Sequence, residues 1–271
     1  MHLTLVAILC SLQFAAAWWG QTQKDIPIGV AIHSCTQKDV VALTFDDGPF
    51  YYTDLLLDLL AEAKMPATFF VNGRNWANIQ DYRSTIIRMV QEGHQVASHT
   101  HPNLANVDEA NVKLEMTKLE DEFIKIIGKF PIYMRPPYLS YNSQTLKVLG
   151  ELGYKVIDAD IDTLDWQYNV PHAVGQSLEL FSNRLWNGGS IVLMHDIHRN
   201  TVMNLVPLVI KQLLQSGKRA VTIGECLGDP QRNWYRTSRS VVKYLVKDHS
   251  KTTKDWHVYN IWEANKLTWS K

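Results

Sequence analysis

The chain has 271 residues, and 27 Lys and Arg balance 27 Asp and Glu, so the formal net charge is +0. That balance excludes the basic excess on which nucleic-acid binding depends. With 46% hydrophobic and 20% charged residues, the chain can bury a sizeable core and is not a disordered polymer. The length fits one large domain, as in single α/β barrels.

Residues 3–17 form an apolar run without a charged side chain, closing on Ala15, Ala16 and Ala17. The run is too short to cross a bilayer, and the small residues resemble a cleavage site. Residues 1–17 are therefore expected to be a secretory signal peptide, which makes the protein secreted and extracellular. The plainer alternative is a buried N-terminal helix. No other segment is long and apolar enough for a membrane span, so no membrane partner is expected.

Short β-like runs follow at 40–45, 67–71, 95–98, 132–135, 155–159, 190–195 and 219–223. They are rich in Val, Ile and Phe, and several are continuously apolar, as strands covered on both faces should be. Helical spacing of apolar residues predicts helices at 54–63, 81–92, 108–127, 143–152, 173–186 and 202–215. Thr53 is placed to cap the first of them. Gly93, Gly128, Gly153 and Gly217 sit where helices would end. Alternation of this kind predicts an α/β fold with crossover helices, here a distorted (β/α) barrel of about seven parallel strands. The barrel domain would span 18–236, and residues 237–271 would form a C-terminal extension. Nothing in the pattern demands an oligomer, so a monomer is expected.

Of the three cysteines, Cys10 would leave with the signal peptide. Cys35 precedes the first long strand and Cys226 follows the last. In an oxidising compartment they form an even pair able to bridge the ends of the domain. The alternative is two buried free thiols.

Five strand ends carry ionisable groups. TFDDGP closes the first strand at 44–49, SHTHP the third at 98–102, and RPPY the fourth at 135–138. DIDTLDW follows the fifth at 160–166, and LMHDIH closes the sixth at 193–198. In a parallel barrel all these ends lie on one face, where active sites form. Asp47, His99 and His101 offer one carboxylate and two imidazoles, a donor set for catalytic zinc or for cobalt, with a position left for water. Asp46 and Asp47 would face opposite ways in a straight strand, but Gly48 and Pro49 end it and let both turn to one site. The neighbour that does not ligate is then free to act as a base. A plain acidic turn is the alternative for this tetrapeptide. His195 has Asp162, Asp165 and Asp196 as candidate partners that would raise its pKa and suit it to general-acid work. Arg135 could pair with Asp46 and aim it; otherwise it makes a surface salt bridge of little consequence.

These motifs, with ALTFDDGPFYYT, GHQVASHTHPNL, MRPPYLSYN, DIDTLDWQ, IVLMHDIH and GECLGDPQRNWYR, resemble the NodB-type polysaccharide deacetylases of carbohydrate esterase family 4. The likeness runs from about Cys35 to Arg236 and is nearest to secreted fungal chitin deacetylases. It implies a distorted (β/α) barrel and a metal-dependent hydrolase that frees acetate and glucosamine units from chitin or its oligosaccharides. Asp47, His99 and His101 would hold the metal, zinc or cobalt. Asp46 would be the base, His195 the acid, Asp165 its tuner, and Arg135 the residue that orients Asp46. The Tyr138 backbone N–H would meet the oxyanion, while Trp166 and Leu193 would enclose the acetyl methyl. The family's two histidines are separated by three residues; here only Thr100 stands between them. His99 and His101 share a side only if 98–101 is extended; otherwise water or His94 would take one position. Other outcomes compatible with these residues are a peptidoglycan or acetylxylan deacetylase, or a catalytically weak carbohydrate-binding protein on the same scaffold.

Overall fold

The computed structural model describes residues 25–100 and 104–239, together with the backbone of the strand pair at 245–246 and 257–258. The expected signal peptide and His101 lie outside the described residues. The chain opens with β1 (Ala31–Ile32) and β2 (Val40–Asp46), then α1 (Thr53–Ala63) and β3 (Thr68–Val71). Helix α2 (Arg83–Gln91) precedes β4 (Gln95–Ser98), and α3 (Glu109–Ile127) precedes β5 (Phe130–Pro131) and β6 (Tyr133–Met134). Helix α4 (Ser143–Glu151), β7 (Lys155–Ile157), β8 (Ile161–Asp162), α5 (Val174–Trp186) and β9 (Ile191–His195) follow. Helix α6 (Val206–Ser216), β10 (Arg219–Val221), α7 (Ile223–Cys226) and β11 (Tyr235–Arg236) complete the domain, and β12 (Leu245–Val246) pairs with β13 (His257–Val258).

Nine strands form one sheet in the order β1-β7-β6-β4-β3-β2-β9-β8, with β10 also paired to β2. Every pairing in it is parallel. Only residues 158–160 separate β7, which lies next to the terminal β1 in this order, from β8 at the other end. Three residues reach only about 10 Å, so the two ends must lie close and the sheet curls into a distorted (β/α) barrel. Each of the seven expected strands forms. The strand expected at 155–159 stops at Ile157 and resumes as β8. β1 and β8 hold two residues each, too few to show a period in the sequence.

Period-two alternation along β2 assigns the two sides of the sheet. Val41, Leu43 and Phe45 pack outward against Leu56, Leu57 and Leu60 of α1. Burying each of those leucines stabilises the fold by roughly 1.5–3 kcal/mol. Val40 and Ala42 turn inward and join Phe70, Ala97, Ile157 and Ile191. Thr44 and Asp46 continue that inner row toward the C-terminal end of the strand. On β9 the inner row is Ile191, Leu193 and His195, and the register sets His195 directly beside Asp46. Thus two inner rows on neighbouring strands deliver a carboxylate and an imidazole to one rim of the barrel.

Two expectations about helix ends need correction. Thr53 is the first helical residue and does not cap α1; Tyr52 holds the cap position without a side-chain bond. The Thr53 hydroxyl is used elsewhere, donating to Asp196 Oδ2 at 2.5 Å. The helix expected from 202 begins with a π-helical turn at Thr201–Leu205 and becomes α-helical at Val206. That wide turn carries the Thr201 hydroxyl to Asp165. The four glycines at expected helix ends all take positive φ, between 69° and 86°, where glycine has no Cβ to clash.

Cys35 and Cys226 are joined by a disulfide, with Cα atoms 4.9 Å apart across 191 positions of sequence. It fastens the segment before β2 to α7. The Cys226 carbonyl reinforces the junction by accepting from Thr36 N–H at 3.0 Å and Gln37 N–H at 3.1 Å. At the N-terminal end of the barrel, Lys155 and the Tyr133 hydroxyl both bond the buried Asp229 carboxylate.

Candidate active site

The strand-end motifs converge on a cleft of about 540 Å³ at the C-terminal rim. Asp46, Asp47, His99, Tyr138, Trp166, Leu193 and His195 all line it. Arg135 lies just beneath, fully buried, with its guanidinium 4.2 Å from the centre of the Phe70 ring. Its Nη1 donates to Asp46 Oδ1 at 2.8 Å and to Thr44 Oγ1 at 2.6 Å, and its Nη2 to the Asp158 carbonyl at 3.1 Å. This is a buried pair and not the surface bridge the sequence left open. Breaking such a pair from one side is costly, on the order of 3–5 kcal/mol, because the other charge stays buried. Geometrically, Arg135 engages one Asp46 oxygen and leaves Oδ2 toward the cleft.

At the end of β9, His195 Nδ1 is 2.8 Å from Asp165 Oδ1. The other oxygen of Asp165 accepts from the His195 backbone N–H at 2.8 Å and from Thr201 Oγ1 at 2.7 Å. Burial alone would raise the Asp165 pKa, but the His195 charge and these bonds outweigh it and lower the pKa. Burial likewise works against charge on His195, yet Asp165, then Asp46 and Asp47, raise its pKa to about 9. Of the three candidate partners only Asp165 binds His195. Asp162 accepts from Leu164 N–H at 2.9 Å, and burial raises its pKa. Asp196 faces Thr53, and burial pushes its carboxyl up to about 7.

His99 Nδ1 lies 2.8 Å from the Arg135 carbonyl. A carbonyl only accepts, so Nδ1 carries the proton, and in the neutral ring Nε2 presents a lone pair. Nε2 stands 3.6 Å from Asp47 Oδ1 and 3.9 Å from Asp46 Oδ2. Asp47 has a φ of 76°, and this reversal lets both aspartates face His99. A nitrogen lone pair opposite carboxylate oxygens is the donor chemistry of a borderline divalent cation. Among the described residues, no group of three or more His, Cys, Asp and Glu is placed to hold an ion. The remaining expected donor, His101, lies outside the described residues. His94 is no substitute. Its Nδ1 accepts from Ala67 N–H at 3.0 Å, its ring packs edge-on to Phe69, and burial lowers its pKa to about 4. It is a satisfied core histidine just before β4, beside the residue that precedes β3, at the end of both strands away from the cleft.

Tyr138 has a φ of 60° and is 77% exposed over the cleft. The two turn bonds of its segment run from Leu139 N–H to Pro136 and from Ser140 N–H to Pro137, each at 3.1 Å, and so spare the Tyr138 N–H. Leu193 is buried and Trp166 is 54% exposed, and both line the cleft as expected.

Sequence reasoning missed several residues here. Asn72 donates its backbone N–H to the Gly48 carbonyl at 2.9 Å and its side-chain amide to the His99 carbonyl, tying the two donor loops together. Asn75 Nδ2 donates to Asp47 Oδ1 at 3.3 Å, and Trp76 walls the cleft. His198, whose pKa burial lowers, lines the opposite wall with Nδ1 at 3.0 Å from the Asn169 amide. NGRN at 72–75 follows a strand directly, as the recognised motifs do, and that position was the available signal.

Residues 33–157 match the polysaccharide deacetylase family model. A chitin deacetylase of Pestalotiopsis sp is 48% identical over 219 residues, covering 80% of this chain and 73% of that protein. A peptidoglycan-N-acetylglucosamine deacetylase of Bacillus cereus is 32% identical over 195 residues, covering 69% of this chain and 67% of that one. The solved chitin deacetylase of the fungal pathogen Colletotrichum lindemuthianum superposes with a TM-score of 0.77 at 46% identity. It covers 79% of this chain and 99% of its own. The chain belongs to the polysaccharide deacetylase family. It is a hydrolase of carbon–nitrogen bonds other than peptide bonds.

Proposed function

We propose that this protein hydrolyses N-acetyl groups of chitin or chitin oligosaccharides, releasing acetate and glucosamine units. The observation that carries the reading is the register pairing of Asp46 with His195, each held by its own buried partner, Arg135 and Asp165. A binding protein has no use for a base and an acid aimed into one cleft. The chitin reading draws on the Pestalotiopsis and Colletotrichum chitin deacetylases, at 48% and 46% identity.

Asp47, His99 and His101 would hold a divalent cation, zinc or cobalt. Once bound, that ion supplies Lewis acidity toward water and the acetamide carbonyl. Asp46 Oδ2 takes the proton from the attacking water, while Arg135 keeps the carboxylate aimed. The oxygen of the attacked carbonyl gains negative charge, and the Tyr138 N–H, which has no acceptor among the described residues, would donate to it. His195, held protonated by Asp165, gives its proton to the amine nitrogen as the carbon–nitrogen bond breaks. Leu193 and Trp166 give the acetyl methyl an apolar wall, and the exposed faces of Trp76 and Trp166 suit the flat sides of sugar rings. Secretion fits the disulfide, which persists in oxidising compartments.

Acetate release from chitin oligosaccharides, with Zn2+ or Co2+ added and with chelator as control, tests the proposal. Oligosaccharide binding without acetate release in the presence of either ion would instead establish a binding protein.

A further inference from the structure

Asp196 follows His195 directly, is fully buried, and has no part in the reaction described above. Its Oδ2 accepts from Thr53 Oγ1 at 2.5 Å, and Thr53 Oγ1 accepts from the Phe50 N–H at 2.8 Å. The carboxylate thus ties the end of β9 to the residues just after Pro49. It also lies flush against Gly48: a Cβ there would fall 2.1 Å from Oδ2 and 2.4 Å from Oδ1. Gly48 takes no positive φ, so the close approach, and not the backbone conformation, requires glycine. On the opposite side the Asn72 N–H holds the Gly48 carbonyl. Next to this clamped glycine stands Asp47, with its φ of 76°. A non-glycine residue stays in that region only where its surroundings enforce it.

The Asp196 Oδ1 atom has no hydrogen-bond partner among the described residues. A buried carboxylate satisfied on one oxygen is a poor choice for stability alone, since an apolar side chain would avoid its desolvation. We propose that Asp196 is a positioning residue for the cation site: with Asn72 it clamps the Asp47–Gly48 turn and so aims the Asp47 carboxylate. This rests on the reading of Asp47 as a cation ligand.

The test uses the full chain, with Zn2+ affinity from isothermal titration calorimetry and the visible absorption of bound Co2+. Outer partners of metal ligands typically contribute about 10–100-fold in affinity, and a loss of that size is expected for Asp196→Ala, with an altered Co2+ spectrum. Asp196→Asn keeps the shape and the acceptor for Thr53, and is expected to retain affinity and spectrum. Thr53→Val, which cuts the tie while preserving volume, should weaken binding too, and carries the test if Asp196→Ala fails to fold. Unchanged affinity and spectrum in Asp196→Ala and Thr53→Val would overturn the proposal, as would an equal loss in Asp196→Asn. If the parent protein binds neither Zn2+ nor Co2+, the ligand reading of Asp47 itself falls, and the clamp with it.

Discussion

Asp165 makes three bonds and holds the charge of His195, so its removal should be read first in a pH profile. With its pKa raised from 6.5 to about 9, His195 stays charged through neutral pH, as the proposed acid must. Asp165→Asn removes the strongest raising influence on His195, and the alkaline limb of the pH–rate profile should move down toward 6.5. An unmoved limb would mean that His195 is not the acid. The same shift has a stability consequence. Because the folded pKa is the raised one, the pair's contribution is full below pH 6.5 and is lost as pH rises through about 9. Chemical denaturation at pH 6 and pH 9 measures that difference. His101 has its own test. His101→Ala should lower bound zinc, measured by elemental analysis, whereas His94→Ala should leave zinc content unchanged, since His94 serves the core.

At the scale of elements, the decisive feature is how strand ends are joined to each other. Asn72 directly follows β3 and reaches the loops after β2 and β4 at once. Asn72→Ala removes the amide donor and leaves the buried His99 carbonyl short of a partner, at a cost of about 1–3 kcal/mol. The backbone N–H to Gly48 survives that change, so a fall in zinc affinity larger than the fall in melting temperature implies would mark the amide as a ligand-loop tie. Calorimetric titration beside thermal melting separates the two. The π-helical turn after β9 belongs to the same scale. No spacing in 201–205 announces it, because Val202 and Leu205 of the π-helical turn are buried just as Val206, Val209 and Leu213 of α6 are.

Over the whole molecule, the Cys35–Cys226 bridge closes a loop of almost the full domain. In the chain-entropy model so long a loop contributes on the order of 5 kcal/mol at most. Reduction, or Cys226→Ser, should lower the melting temperature by several degrees while zinc content at saturating ion stays the same. The bridge joins the segment before β2 to the end of α7 and sits beside Ser190, just before β9, at the end of the strands away from the rim that carries Asp47 and His99. A melting temperature indifferent to reductant would show that the closed loop does not limit the unfolded chain.

The sequence by itself determined the strand–helix alternation, seven of the sheet strands, the pairing-competent cysteines and the five motifs at strand ends. All of these are local: period-two and helical spacing need only a few neighbouring residues, and polar side chains stand out after an apolar strand. Only the tertiary structure decided that Arg135 is buried and not superficial, that Asp165 and not Asp162 or Asp196 holds His195, and that Asn72 couples two loops. Those choices depend on which atoms meet across 23 to 143 positions of chain, and a carboxylate reads the same in a sequence whether it points at an imidazole, as Asp165 does, or at a threonine, as Asp196 does.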